Sequence, residues 1–173
     1  MIDRYRRSFV LPNYTPRDWW ECDVFEITKA GYFVEYEIKI SRNDFKADSR
    51  KSDKGVSWFT NEFQHLNRPE RNKHADLELR SGKGPSRFWF VVPDGLVKED
   101  EVPEWAGLLY IDRHVSCIKS APLLHRIKPD GGIRAHAESV CYWRMHSLLL
   151  HKKMLTADTN GDLISPVKSE TTL

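Results

Sequence analysis

Between Cys22 and Ile40 apolar and polar residues alternate with a period of two, which predicts a pair of β-strands. The first is Cys22 to Thr28 (CDVFEIT) and the second Tyr32 to Ile40 (YFVEYEIKI). The Lys29-Ala30-Gly31 connection is short enough to fold them into a hairpin, with Gly31 relieving the turn. Because side chains alternate across a strand, Tyr32, Val34, Tyr36, Ile38 and Ile40 share one face. Phe33, Glu35, Glu37 and Lys39 share the other, and the hairpin brings Asp23 into the neighbourhood of Glu37 and Lys39.

The same reading extends along the chain. Met1 to Trp20 carries Pro12 and Pro16 and no sustained helical period, so it reads as an irregular arm packing Tyr14, Trp19 and Trp20 near the first strand. Ser41 and Asp44 stand as N-cap and third position of a helix on which Arg42, Lys46 and Arg50 form one stripe. Ser52 to Gly84 is a long polar excursion containing a basic knot of Arg68, Arg71, Lys73 and His74. Ser86 to Val92 (SRFWFVV) reads as a strand buried on both faces at the sheet centre. A helical turn at Val102 to Ala106 precedes a hairpin of Gly107 to Ile111 and Val115 to Lys119. After the Pro129-Asp130-Gly131-Gly132 break, Ile133 to Leu155 reads as a helix.

Composition narrows the class without fixing it. At 173 residues the chain is expected to form one domain over 1–155, with 156–173 a polar, disordered tail. A formal charge of +2 and a pI near 8.4 neither demand nor exclude a nucleic-acid partner, so any positive patch is local. Three widely spaced cysteines, Cys22, Cys117 and Cys141, argue against a disulfide framework or structural zinc. His146 and His151, five apart, do not share a helical face as two zinc ligands would. The opening MIDRYRRSFVLP is too poor in apolar residues for a signal-peptide core, and no run could span a bilayer, so a cytoplasmic protein is expected.

Two carboxylates and an ammonium near one sheet suit a hard divalent cation and a phosphodiester. Asp23 and Glu37 would offer oxygen ligands, and Lys39 would meet developing negative charge. The plain alternative is a cross-face ion pair on a half-solvated strand, which has little energetic value. Glu35 and Glu21 are weaker candidates for an outer or second-metal role, read first as surface carboxylates. No glycine-rich phosphate loop, His-Glu-x-x-His or Gly-x-Ser-x-Gly supports an ATPase, zinc protease or serine hydrolase.

Asp23 followed by Glu37-Ile38-Lys39 resembles the Asp...(Asp/Glu)-x-Lys signature of the PD-(D/E)XK nuclease superfamily. The blocks ECDVFEIT, GYFVEYEIKISRNDFKAD, RFWFVVPDGLV and VPEWAGLLYID look like its MmcB-like DNA-repair branch and phage-borne relatives, over roughly positions 20 to 125. The resemblance implies an α/β protein with a restriction-endonuclease-like core, a central mixed β-sheet flanked by helices. It further implies a Mg2+- or Mn2+-dependent nuclease acting on DNA in repair, recombination or phage DNA processing. Asp23, Glu37 and the backbone carbonyl of Ile38 would hold the metal, and Lys39 would complete the catalytic set. Arg42, Lys46 and Lys73 would contact the nucleic-acid backbone. The implied partner is DNA, with RNA and a homodimer left open and no membrane. The alternative from another class is a catalytically silent nucleic-acid-binding or assembly module that keeps the fold.

Overall fold

A computed structural model describes residues 8–16, 19–48, 73–82, 84–128 and 131–159. Six strands form one mixed sheet in the order β1-β2-β3-β4-β5-β6. They are β1 (Phe9–Tyr14), β2 (Cys22–Ile27), β3 (Phe33–Ile38), β4 (Arg87–Pro93), β5 (Ala106–Ile111) and β6 (Val115–Lys119). Strands β1, β2 and β3 run as an antiparallel meander, β3, β4 and β5 are parallel, and β6 returns antiparallel to β5. The parallel step from β3 to β4 needs a long crossover. Helices α1 (Arg42–Asp48) and α2 (Lys73–Glu78) lie on it. The chain is thus an α/β protein built on a mixed sheet.

The hairpin expected between Cys22 and Ile40 is present, with Val24 opposite Tyr36 and Phe25 opposite Glu35. Gly31 takes a φ of 81° in its turn, a conformation that costs glycine little. The Ser41 hydroxyl accepts from the Asp44 N–H at 3.1 Å, so the helix starts where the capping pattern placed it. The amino-terminal arm departs from expectation, because Phe9–Tyr14 is a strand despite Pro12. That strand is at the sheet edge, where proline's missing N–H need not break the ladder. The expected helical turn at Val102 to Ala106 is replaced by a 3-10 turn at Glu99–Glu101.

One face of the sheet carries the core. Phe25, Ile27, Phe33, Phe88, Phe90, Val92 and Leu108 are buried there, and Phe25 packs edge-on to Phe33 with ring centroids 4.8 Å apart. Each such side chain contributes on the order of 1.5–3 kcal/mol through burial. Phe45 of α1 meets Phe90 at 5.0 Å, Leu77 of α2 is buried, and Trp105 stacks edge-on to Phe88 at 5.4 Å. The opposite face is less covered, with Val10, Ile38 and Ile111 exposed. Strand β4, expected to be buried on both sides, is therefore fully buried only through Phe88, Phe90 and Val92, while Trp89 and Val91 are half-buried.

The chain divides into two compact units, Met1–Ala137 and Glu138–Leu173. Helix α3 (Gly131–Thr159) starts in the first unit, where Ala137 is buried and the Tyr14 hydroxyl lies 2.8 Å from His136 Nδ1. Burial pushes the Tyr14 phenol up to about 12, helped by the neighbouring Cys22. In the second unit Tyr142, Trp143 and His146 form a ring cluster, with Tyr142 and Trp143 centroids 5.5 Å apart. The helix extends to Thr159, beyond the Leu155 expected, and 160–173 lie outside the described residues. No helix among the described residues is long and apolar enough to cross a membrane.

Gly107 shows how tightly the less covered face is packed near β5. A Cβ there would stand 2.6 Å from the Ala121 backbone nitrogen and 2.7 Å from Trp89 Cζ3. The Ala121 main chain cannot yield as a flexible side chain would, so Gly107→Ala is expected to lose about 1–3 kcal/mol of stability in urea unfolding. An unchanged midpoint would show that the strand and the Ala121 segment separate easily.

Candidate active site

The charged residues of β3 point into the core side of the sheet, not to solvent. Glu35 and Glu37 lie in register with Phe88 and Phe90 of β4, whose rings line the buried face. Glu35 is 0% exposed, Lys39 2% and Glu37 7%. Among the apolar partners in the alternation, Ile38 is 44% and Ile40 77% exposed, while Val34 is buried. Period two fixed which residues share a face, and the helices of the crossover decided which face is covered.

A buried carboxylate needs a counter-charge and hydrogen bonds. Both oxygens of Glu37 receive an ammonium: Lys39 Nζ at 2.6 Å from Oε1 and Lys73 Nζ at 2.7 Å from Oε2. Lys73 also reaches Glu35 Oε1 at 2.7 Å, and the Trp20 indole N–H donates to Glu35 Oε1 and Oε2 at 2.9 and 2.8 Å. The Lys73 ammonium lies 4.9 Å from the centre of the Phe88 ring and 5.8 Å from that of Trp20. Such placement favours a cation over aromatic faces.

These contacts set the proton affinities. Complete burial pushes the Glu35 carboxyl above the usual carboxylate range, against the pull of Lys73 and the indole. Burial alone would lower Lys73, but Glu35 and Glu37 together hold its ammonium above the usual lysine value. Burial pushes the Cys22 thiol well up, with Glu35 adding to the shift, so this cysteine is an inert core group.

Asp23 is half-buried beside the cluster. Its Oδ2 accepts from the Ile38 N–H at 2.8 Å, extending the β2–β3 ladder with a side chain beyond the Val24 and Tyr36 pair. Partial burial raises the Asp23 carboxyl, the Ile38 N–H opposes this, and the Glu37 carboxylate raises it further. Asp23 thus lies near enough to Glu37 and Lys39 to feel both charges.

Among the described residues no group of three His, Cys, Asp or Glu side chains is placed to hold a metal. The donor set suggested by the sequence is different, two carboxylates and the Ile38 carbonyl. Each carboxylate oxygen keeps a second lone pair beyond one hydrogen bond, so ammonium contacts at Glu37 leave it able to ligate. Three carboxylates (Asp23, Glu35, Glu37) face two ammonium groups (Lys39, Lys73), leaving one net negative charge when all are ionised. A hard divalent cation fits that chemistry.

The remaining candidates are distributed differently. Lys73, expected on a phosphate-contacting loop, is 7% exposed and sits inside the cluster. Arg42 donates to the Leu96 carbonyl at 2.8 Å and is paired with Glu101, so it ties α1 to the loop after β4. Its contact and the Lys98 N–H, which is the stronger influence, hold the Glu101 carboxyl below its usual range. Lys46 is exposed on the same helix. His74 is half-buried, edge-on to Trp105 at 5.2 Å, and Glu21 is exposed. Arg4, Arg6, Arg7, Arg17, Arg50, Arg68 and Arg71 lie outside the described residues. Sequence reasoning missed the Trp20–Glu35 bond, whose only signal was an acid on the same strand face as Phe33.

No family model matches the chain, and no curated protein matches it. Among solved structures, the SPO1766 protein of unknown function from Silicibacter pomeroyi is similar over 93% of this chain and 87% of its own, at 19% identity and a TM-score of 0.49. A likeness at that level says nothing about the chemistry of the site.

Removing Lys73 isolates the electrostatics. Lys73→Met leaves the buried Glu35 with no ammonium against it and with the indole and the Cys22 thiol as neutral neighbours, a loss of about 3–5 kcal/mol at neutral pH. The Glu35 carboxyl, already raised, then binds its proton still more tightly in the folded state than in the unfolded one. The variant should therefore regain stability as pH falls through that raised value. The Lys73 contribution in the wild type is fully present below the unfolded lysine value and is lost only as pH rises through the higher folded one. Urea midpoints measured across acid and neutral pH check this. A second change, Glu35→Gln, should flatten the variant's profile, and a Lys73→Met profile parallel to wild type would break the assignment.

Proposed function

We propose that this chain is a metal-dependent nuclease with a restriction-endonuclease-like core, hydrolysing phosphodiester bonds in DNA. The observation that carries the reading is the convergence of Asp23 on β2 with Glu37 on β3 and Lys39 just past its end, where Lys39 Nζ stands 2.6 Å from Glu37 Oε1. A mixed sheet with short helices on the β3–β4 crossover agrees with the fold that the reading requires.

Asp23, Glu37 and the Ile38 carbonyl would hold Mg2+ or Mn2+. When bound, such an ion supplies a Lewis acid for a phosphoryl oxygen and lowers the pKa of a ligated water. The protein's own groups do the rest. Lys39, fixed by Glu37, offers an ammonium to the charge that develops on the phosphate oxygens during in-line attack by water. Lys73 and Glu35 hold Glu37 in one orientation, since Glu37 Oε2 and Glu35 Oε1 share the Lys73 ammonium. Burial of these groups in a low-dielectric setting strengthens each interaction.

A second reading, a silent nucleic-acid-binding or assembly module, is favoured by one observation. Both Glu37 oxygens are already engaged by ammonium groups, as in a purely structural ion-pair network. The two readings differ over Lys39. Its charge helps only where charge develops beside it in reaction, because a resting metal needs oxygen ligands.

The test is a panel of labelled single-stranded, duplex, flapped and junction DNAs, incubated with and without manganese. Lys39→Met keeps the stem and removes the charge, and cleavage should fall by about two to three orders of magnitude, the scale of losing one strong transition-state donor. Calorimetric titration with manganese should show a site that Asp23→Asn weakens. Equal cleavage by Lys39→Met and wild type would end the catalytic assignment. DNA binding without cleavage of any substrate would establish the silent module.

A further inference from the structure

The opposite face of the sheet carries a cavity, remote from the charged cluster. Tyr32 and Val34 belong to the alternate set of β3 side chains, and Tyr32 precedes Glu37 by five residues, about 17 Å along a strand. A cavity of about 290 Å³ lies there, its lining including Tyr32, Val34, Ser86, Arg87, Leu123 and Arg126. Leu123 and Arg126 come from the segment after β6, which is anchored just before β4 by the Leu124 N–H to Ser86 carbonyl bond at 2.8 Å.

The lining has a definite chemistry. Arg87 is pinned by donating one Nη1 bond to the Ala121 carbonyl, and neither Arg87 nor Arg126 has an ion-pair partner among the described residues. Among the described residues no carboxylate lines the cavity. The Thr28 and Ser86 hydroxyls are already used on the Tyr32 and Phe33 carbonyls. Lys128 adds a third cation at the rim, 5.2 Å from the centre of the Tyr32 ring. Two guanidinium groups suit a phosphate, and the half-buried tyrosine with Leu123 and Val34 suits a flat apolar ring. The volume is at the lower edge of small-ligand pockets, roughly 300 Å³, and a bare phosphate would leave most of it empty.

We propose that this cavity binds one nucleotide unit, its phosphate on Arg87 and Arg126 and its base against Tyr32 and Leu123. The choice of a nucleotide over another flat anion rests on the nuclease reading. The unit comes either from a free nucleotide or from a nucleic-acid strand, and two probes separate these sources.

The full chain in EDTA, so that no cleavage intervenes, is titrated with thymidine monophosphate and with a short fluorescent oligothymidylate. Saturable binding of the monophosphate assigns the site to free nucleotides. Saturable binding of the oligonucleotide alone assigns it to a strand. In either case Arg126→Glu, a change at an exposed position, should weaken binding by about ten-fold or more, the scale of one lost charge-assisted contact. Tyr32→Leu should weaken it independently, and circular dichroism confirms that both variants are folded. The proposal is overturned if neither probe binds saturably, or if Arg126→Glu binds as wild type does. Binding that depends on Arg126, from a protein that cleaves nothing, would leave this site standing and remove the nuclease reading. Cleavage by the wild type with no effect of Arg126→Glu on binding would do the reverse.

Discussion

The shared ammonium of Lys73 is the contact on which the centre of this protein depends. It touches Glu35 and Glu37 at the same 2.7 Å, and it comes from a helix beyond the long excursion while both acids come from β3. Two carboxylates on one buried strand face would repel each other and lose their hydration together. One cation between them meets both costs and fixes α2 against the sheet. The aromatic rings of Phe88 and Trp20 then complete the surroundings of that cation without offering it water.

Such a network is not an economical way to stabilise a fold, since well-packed apolar residues of similar volume often do as well or better. The Phe25, Phe33, Phe88 and Phe90 layer shows that this sheet can fill its core with apolar rings. On the proposed reading, Glu35, Glu37, Lys39 and Lys73 beside that layer serve the site and not stability. Perturbed titratable groups with defined partners concentrate where chemistry is done, which is the physical basis for treating the cluster as a site.

Much of this was legible in the sequence. Alternation gave the hairpin, the shared face of Glu35, Glu37 and Lys39, and the proximity of Asp23, because period two and a short turn are local properties. The exposure of that face was not legible. A polar stripe reads as solvated unless something covers it, and the cover includes α2, whose sequence is polar. Lys73 was visible as a basic residue, but it stands 34 positions after Lys39, so its burial was a tertiary fact. Strand β1 was hidden by Pro12, which argues against a central strand and not against an edge one. Arg42 illustrates the converse limit, since helical spacing set its stripe but said nothing of Glu101, which comes from a loop far along the chain.

The charge balance links metal and substrate on the proposed reading. With Asp23, Glu35 and Glu37 ionised against Lys39 and Lys73, the cluster carries one net negative charge and repels a phosphodiester. A divalent cation would reverse that sign and leave one net positive charge for one phosphate. Lys39 and Lys73 therefore do more than neutralise Glu37. Without them the same ion would leave the site negative, and the phosphate would still be repelled. On that reading, two lysines beside three acids would let a single hard cation switch the site from excluding a nucleic-acid backbone to attracting it, which a carboxylate cage alone would not do.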